Sequence, residues 1–221
     1  MIAPVHRLKK RQIEWLANNK CKHRHPYLNH YECYLRDNPE QERIGFFDIE
    51  TTHLKSNFGV VLSYAICDSN GDVIGEYITR KDILNFAVRD RNILKRLIED
   101  LQGFDKLVTY YGTRFDLPFV RTRALIHGLP FPKYAGKRHK DLYYTIRNRF
   151  SLHSNRLEVA CQTLLGRTHK THMIPMVWQK ASVGDKKALR YVWEHNVADV
   201  VDLRDLYYAT MEYGFPGDRS I

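Results

Sequence analysis

No apolar run in this 221-residue sequence approaches the roughly 20 residues that a membrane-spanning helix requires, and the longest, around 58–67, is half that. The first residues contain no apolar signal-peptide core either, so a cytoplasmic protein with no membrane partner is the expectation. Cysteine is scarce: four residues in a chain of this character do not make a disulfide framework, which leaves metal binding or plain burial to account for them. Internal repeats and low-complexity linkers are absent. So is any polymerase, helicase or nucleotide-binding loop, and a replicative or repair partner would have to be a separate chain. The length suits one well-buried α/β domain plus a small appendage, and 43% hydrophobic with 27% charged residues excludes a mainly disordered chain.

Positive charge is what the chain has in excess. A formal charge of +10 favours a polyanionic partner, without choosing between nucleic acid, lipid and ribosome. Between residues 133 and 190 there are thirteen Lys or Arg (133, 137, 138, 140, 147, 149, 156, 167, 170, 180, 186, 187 and 190) against three acids, Asp141, Glu158 and Asp185. Tyr134, Tyr143, Tyr144, Phe150 and Trp178 are interleaved, a composition suited to phosphate contacts with base stacking, or equally to a solvated basic face over core aromatics.

Composition changes sharply after the polar stretch 36–43, giving two expected units: a basic N-terminal segment, 1–43, and a domain over 44–221. The apolar run from Ile44, then 60–67 and 73–79, predict an antiparallel meander, with Asn70-Gly71 as a hairpin turn. Helical spacing marks 90–102; 106–111 predicts a short buried strand, and a helix is expected from Asp116, which can cap it. Residues 141–146 fit either a strand or a helix start. Helices are expected again over 155–165 and 186–212.

Asp48 and Glu50 are two apart on the first strand and therefore share a face. An acid beside so apolar a strand is costly to bury unless paired or holding a metal, whereas Glu50 alone also fits a surface position. Asp116 follows the predicted fourth strand. His195 and Asp199 stand four apart on the last helix, one turn from each other.

Three segments together, Phe47-Asp48-Ile49-Glu50-Thr51, Gly112-Thr113-Arg114-Phe115-Asp116-Leu117-Pro118 and His195-Asn196-Val197-Ala198-Asp199, resemble the motifs of the DnaQ-like (DEDD) 3′–5′ exonucleases, in family order and over about three-quarters of the chain. The resemblance implies an RNase-H-like fold, a mixed sheet of antiparallel meander plus parallel strands flanked by helices. It also implies two Mg²⁺ or Mn²⁺ ions: Asp48 bridging them, Glu50 and Asp199 completing their coordination, Asp116 on the outer ion. His195 would orient or deprotonate the attacking water, and Thr51, Tyr111, Arg114 and Phe115 would lie at the substrate. Two positions depart from the pattern. The family has Tyr four before the last Asp, or His five before it; here His195 is four before and Glu194 five before. Tyr111 stands where many relatives have Asn.

Cys21, His23, His25, His30 and Cys33 fall within thirteen residues. Two thiolates and two imidazoles make a tetrahedral zinc site, and Cys21, His23, His30 and Cys33 are the favoured ligands, with His25 substituting for His23. So short a segment is not expected to build a core of its own, which a bound ion would remedy. Surface histidines with half-buried thiols are the other possibility. Cys67 and Cys161 fall in core elements as small hydrophobes. The leading expectation is a 3′–5′ exonuclease on single-stranded DNA or RNA whose zinc element grips substrate; a structure-specific endonuclease and a non-catalytic nucleic-acid-binding module are the alternatives.

Overall fold

In the computed structural model, residues 2–132, 137–169, 171–214 and the backbone of 219–220 are described; Lys133, Tyr134 and Lys170 of the basic stretch lie outside them. The chain opens with α1 (Lys10–Asn18) and α2 (Tyr31–Asp37), then runs through β1 (Ile44–Thr51), β2 (Val61–Asp68), β3 (Val73–Tyr77), α3 (Arg80–Leu84), α4 (Arg91–Leu101), β4 (Lys106–Thr109), α5 (Asp116–Ile126), β5 (Arg138–Asp141), α6 (Leu142–Arg149), α7 (Leu157–Leu165), α8 (Pro175–Ser182), α9 (Lys186–Thr210) and β6 (Arg219–Ser220).

The strands form one sheet in the order β3-β2-β1-β4-β5-β6. β1 is antiparallel to β2 and parallel to β4, β4 is parallel to β5, and β2–β3 is an antiparallel hairpin. This is the expected mixed RNase-H-like sheet. At the hairpin, Asp68 Oδ1 accepts the N–H groups of Asn70, Gly71 and Asp72, and Gly71 takes a positive φ of 100° that a side chain would resist.

Period-two alternation along β1 sorts its side chains onto two cores. Phe47 and Ile49 face a cluster with Leu62, Tyr64 and Ile66 of β2 and the apolar sides of α4 and α5. Phe46 faces the other, with Ala65, Cys67 and Val108 beneath Leu142, Ala160, Val200 and Leu203. Phe46 and Phe47 are both fully buried, each contributing about 1.5–3 kcal/mol on transfer alone. Asp48 and Glu50 follow Phe46 on its face. There α9 crosses β2 and β1, and small Ser63 and Ala65 let it approach.

Several sequence expectations need correction. Of the two readings of 141–146 it is the strand that falls: β5 ends at Asp141, whose carboxylate accepts Tyr143 N–H, and α6 starts there as the helix alternative has it. Asp116 does not cap α5 but is its first residue; Phe115 precedes the helix and the Asp116 carboxylate turns inward. The N-terminal segment does have a core, small though it is: Ala3, Leu16, Tyr31 and Leu35 are buried together. Arg7 ties that segment to the sheet, donating to Gly103 O and to Asp105, both at 2.5 Å. Helix α8 was not foreseen. Cys67 and Cys161 are fully buried, as expected.

A buried ion pair joins the start of β2 to the helices. Asp90, fully buried, accepts from Arg123 Nη2 at 2.6 Å and Nε at 2.9 Å, from Val61 N–H at 3.0 Å, and stands 2.8 Å from His127 Nε2. Replacing Arg123 with Met leaves that carboxylate short of its main counter-charge. Arg123→Met is expected to lower unfolding free energy by about 3–5 kcal/mol, read as an earlier denaturant midpoint at unchanged slope.

Candidate active site

A cavity of about 720 Å³ opens on the α9 face at the C-terminal end of β1. Asp48, Glu50, Thr51, Tyr111, Phe115, His195 and Asp199 line it, so most of the residues singled out in the sequence converge there. The described lining carries four carboxylates, Asp48, Glu50, Glu158 and Asp199, against one Arg, Arg156. In a chain of net charge +10, that local excess of acid is opposite to the whole.

At its centre, ligand atoms of Glu50, His195 and Asp199 lie within 4.8 Å of one another. His195 Nε2 is 3.9 Å from Glu50 Oε1 and 3.9 Å from Asp199 Oδ2. Its other ring nitrogen, Nδ1, lies 2.7 Å from Thr171 Oγ1, which fixes the ring plane, and Trp178 packs edge-on against it at 5.3 Å. Trp178 Nε1 donates to Glu50 Oε2 at 3.3 Å. Glu194 points outward and pairs with Arg190 at 2.9 Å, so of the two neighbouring candidates only His195 meets the carboxylates.

Asp48 accepts a 2.5 Å hydrogen bond from Asn196 Nδ2, while Asn196 Oδ1 accepts from Ser63 at 3.2 Å. This bridge sets the register of α9 over β1 and β2. Asp116 lies beneath the cavity lining, 2% exposed, its Oδ1 accepting Ile49 N–H at 3.1 Å. Burial pushes its carboxyl up from the usual 3.8 to about 7; the Ile49 bond opposes this, and the charges of Asp141 and Asp199 add to it.

The loop after β4 is held by Asp141, which accepts Tyr111 N–H at 2.8 Å and Thr113 N–H at 2.9 Å. Those bonds offset the strain of Tyr111, a non-glycine residue at φ 68°. Gly112 is required beside it, since a Cβ there would fall 2.3 Å from Thr109 Oγ1. The Tyr111 ring packs 4.8 Å from Tyr143 and forms one cavity wall. Arg114 is exposed and bonded to Tyr144, outside the lining. The basic stretch is not one face: Lys137 bonds Phe104 O, Arg138 pairs with Glu42, and Arg167 with Asp205.

Asn196, Thr171, Trp178 and Asp141 hold the site together, and none had been assigned these contacts from sequence. Asn196 alone offered a local signal, being three residues before Asp199 and so on its helix face.

The second cluster lies in the N-terminal segment. Ligand atoms of Cys21, His23, His30 and Cys33 all fall within 4.8 Å of one another. Cys21 Sγ is 3.2 Å from His30 Nδ1, and Cys33 Sγ is 3.5 Å from His23 Nδ1. Cys21 and His23 lie in a tight turn, His30 immediately precedes α2 and Cys33 is in its first turn. His25 is outside the set and packs edge-on against His30. Burial would raise the Cys21 thiol, but the His30 bond and the N–H groups of His23 and His25 outweigh it and bring it down to about 7.

A family model described as the RNase_H superfamily matches residues 45–211. Among curated relatives, a DNA polymerase of Pyrococcus glycovorans is 25% identical over 186 residues, 70% of this chain and 24% of its own, and one of Thermococcus aggregans is 26% identical over 217 residues, 82% and 11%. The chain thus matches about a quarter or less of those relatives' length. The solved structure of the family B DNA polymerase from the hyperthermophilic archaeon Pyrobaculum calidifontis shares the fold, with a TM-score of 0.60 at 19% identity, over 77% of this chain and 24% of that one. No described helix is long and apolar enough to cross a membrane.

The elevated Asp116 acid makes a signed prediction for metal-free protein. Its stabilising protonated form is complete below about pH 3.8 and is lost as pH rises through about 7. In EDTA, the stability of Asp116→Asn relative to the unsubstituted protein is expected to rise across that window, by on the order of 4 kcal/mol at pH 8. Urea midpoints at a series of pH values measure it, and a pH-independent difference would contradict it.

Proposed function

The chain belongs to the RNase H superfamily, and on that premise we propose that it is a metal-dependent 3′–5′ exonuclease that hydrolyses phosphodiester bonds of single-stranded nucleic acid. The observation that carries this is the acid-lined cavity in a basic protein: a carboxylate cluster repels phosphate unless cations stand between them. The polymerase relatives support nucleic acid as the substrate class. The resemblance of the three motifs to DnaQ-like exonucleases supports hydrolysis from a 3′ end.

The donor set fits hard divalent cations, being carboxylate oxygens of Asp48, Glu50, Asp199 and, beneath the lining, Asp116, whose acid is raised by burial and by the neighbouring charges of Asp141 and Asp199. Bound there, a pair of Mg²⁺ or Mn²⁺ ions supplies charge neutralisation at the phosphate and a water of lowered pKa. The protein's own groups do the rest. His195 Nε2, facing the carboxylates, takes the proton of the attacking water, which requires Nδ1–H to donate to Thr171 Oγ1. Asn196 fixes Asp48, and Trp178 fixes Glu50. Tyr111, Phe115, Leu54 and Met173 give the cavity flat and apolar walls, which suit an unstacked base better than a duplex.

End-labelled single-stranded DNA and RNA are expected to ladder from the 3′ end with Mg²⁺ or Mn²⁺, and EDTA or Asp48→Ala is expected to lower the rate at least 10³-fold. Cleavage of circular single strands would replace the exonuclease reading with an endonuclease one; no metal-dependent cleavage at all would sink both.

The N-terminal cluster fits Zn²⁺, with two thiols and two imidazoles whose ligand atoms lie within 4.8 Å of one another; the shared environment lowers the Cys21 thiol and burial raises that of Cys33. About one zinc per chain is expected by elemental analysis of purified protein. Cys33→Ser is expected to lose that zinc and become sensitive to protease within residues 1–43, with the rest intact.

A further inference from the structure

The N-terminal segment carries a surface that the active site does not use. Trp15 stacks on Tyr27, ring centroids 5.9 Å apart and planes 6° from parallel, and Tyr34 meets both rings edge-on at 6.0 and 5.6 Å. Of the three tryptophans, Trp15 is the exposed one, at 48%. An apolar ring of that size left in water on a segment with so small a core is costly, and the core itself does not need it: Leu16, the next residue, supplies the buried contact of α1.

Around this ring lies charge of one sign. Lys9, Lys10, Arg11, Lys20, Lys22 and Arg24 are all exposed, and Glu14 is the one acid between residues 9 and 25. Arg11 is one helical turn before Trp15, on the same side of α1. The opposing charges Glu32, Asp37, Glu40 and Glu42 sit on and after α2; Asp37 reaches the platform's α2 edge, accepting from Tyr27 OH at 2.8 Å, and the α1 edge around Trp15 stays basic. A cavity of about 350 Å³ adjoins the platform, with Trp15, Tyr34, Gln12 and Arg43 among its walls.

We infer that the Trp15–Tyr27–Tyr34 platform and its rim of lysines and arginines are a second binding site for single-stranded nucleic acid, which stacks bases on Trp15 and holds phosphates on the α1 side. An exposed flat ring, backed by two half-buried tyrosines and rimmed by exposed positive charge, is the combination that binds single strands without reading sequence. The exposed residues flanking Trp15 on α1 are mainly charged and polar, which suits a polyanion better than an apolar protein face, and a duplex offers no exposed base face to Trp15. The site rests on the nuclease reading only for the identity of the polymer, which is the substrate of the cavity.

Its position gives it a distinct role. Arg43, which shares the adjoining cavity with Trp15, precedes β1, and Asp48 lies five residues further along, about 17 Å at strand rise. The platform therefore touches a part of the strand well removed from the bond being cut. At about 3.4 Å per nucleotide when stacked, that separation is about five nucleotides, fewer in an extended strand, so a 20-mer has ample length to occupy both sites at once.

The test uses the whole 221-residue chain carrying Asp48→Asn to prevent cleavage, with fluorescence anisotropy of labelled 4-mer and 20-mer single strands, as DNA and as RNA. Trp15→Ala is expected to weaken 20-mer binding about tenfold or more and leave the 4-mer unchanged, while Trp15→Phe restores most of the loss. Lys10→Glu with Arg11→Glu, which removes only exposed charge, is expected to weaken the 20-mer and flatten its salt dependence; Lys81→Glu on α3 is the control. Zinc content and circular dichroism verify that each variant is folded. With Asp48 restored, Trp15→Ala is expected to raise KM for long strands and leave kcat on 4-mers unaltered. Equal 20-mer affinity in the charge-reversed, folded protein overturns the proposal, as does an equal loss on 4-mer and 20-mer. Normal cleavage with an inert platform removes this inference alone, whereas binding without any metal-dependent cleavage removes the nuclease reading and leaves the surface.

Discussion

The contact of α9 with β1 and β2 organises everything else at the site. Its centre is a polar bridge, Asn196, fully buried between Ser63 on β2 and Asp48 on β1. A buried amide whose partners are displaced costs more than the bond it loses, so the helix has one depth and one rotation at which it is stable. At that rotation His195 and Asp199, one turn apart, both face Glu50. The strand is equally constrained. A slip of one residue along β1 would send Asp48 and Glu50 into the opposite core and Phe47 into the cavity. The geometry is set by packing register on rigid elements, and loops add the walls.

That rigidity matters because the arrangement is electrostatically unfavourable by itself. Asp116 sits where desolvation and two neighbouring carboxylates drive it toward the neutral acid. The fold tolerates this because the sheet and its two cores provide stability elsewhere, including the Asp90–Arg123 pair that joins β2 to α5. Cations bound among the carboxylates would reverse the sign of the local cost. Binding and stability would thus be coupled through Asp116, the buried acid whose charged form the metal-free protein disfavours.

How much of this the sequence disclosed follows from the range of each interaction. Asp48 and Glu50 were legible because a strand has period two, and His195 with Asp199 because a helix has period 3.6; both signals lie within five residues. Asp116 was found by its motif, but its local pattern suggested a helix cap, and only the approach of Ile49 N–H from β1, 67 positions away, shows why it turns inward. Thr171 and Trp178 act on residues 24 and 128 positions distant and leave no local trace. β5 escaped for a different reason. Its sequence, Arg-His-Lys-Asp, is polar throughout, and it is a strand because β4 pairs with it and because Thr109 and the loop N–H groups satisfy His139 and Asp141. The core of the N-terminal segment was missed because its members are scattered from Ala3 to Leu35 with no shared period.

The attachment of that segment fixes what it can and cannot do. Arg7 grips Gly103 and Asp105, and Asp105 in turn accepts Arg43 N–H at 3.0 Å, so the segment is anchored where β1 and β4 begin. Those two strands are parallel, and the carboxylates stand toward the far end of β1. No side chain of residues 1–43 appears in the described lining of the active-site cavity. A direct contribution of the Cys/His cluster or of Trp15 to the proposed hydrolysis would therefore need a molecule long enough to lie across the sheet from one end to the other. A polymer does this, and a nucleotide does not. The division of charge agrees, with acid concentrated where bonds would be cut and base concentrated where a strand would only be held.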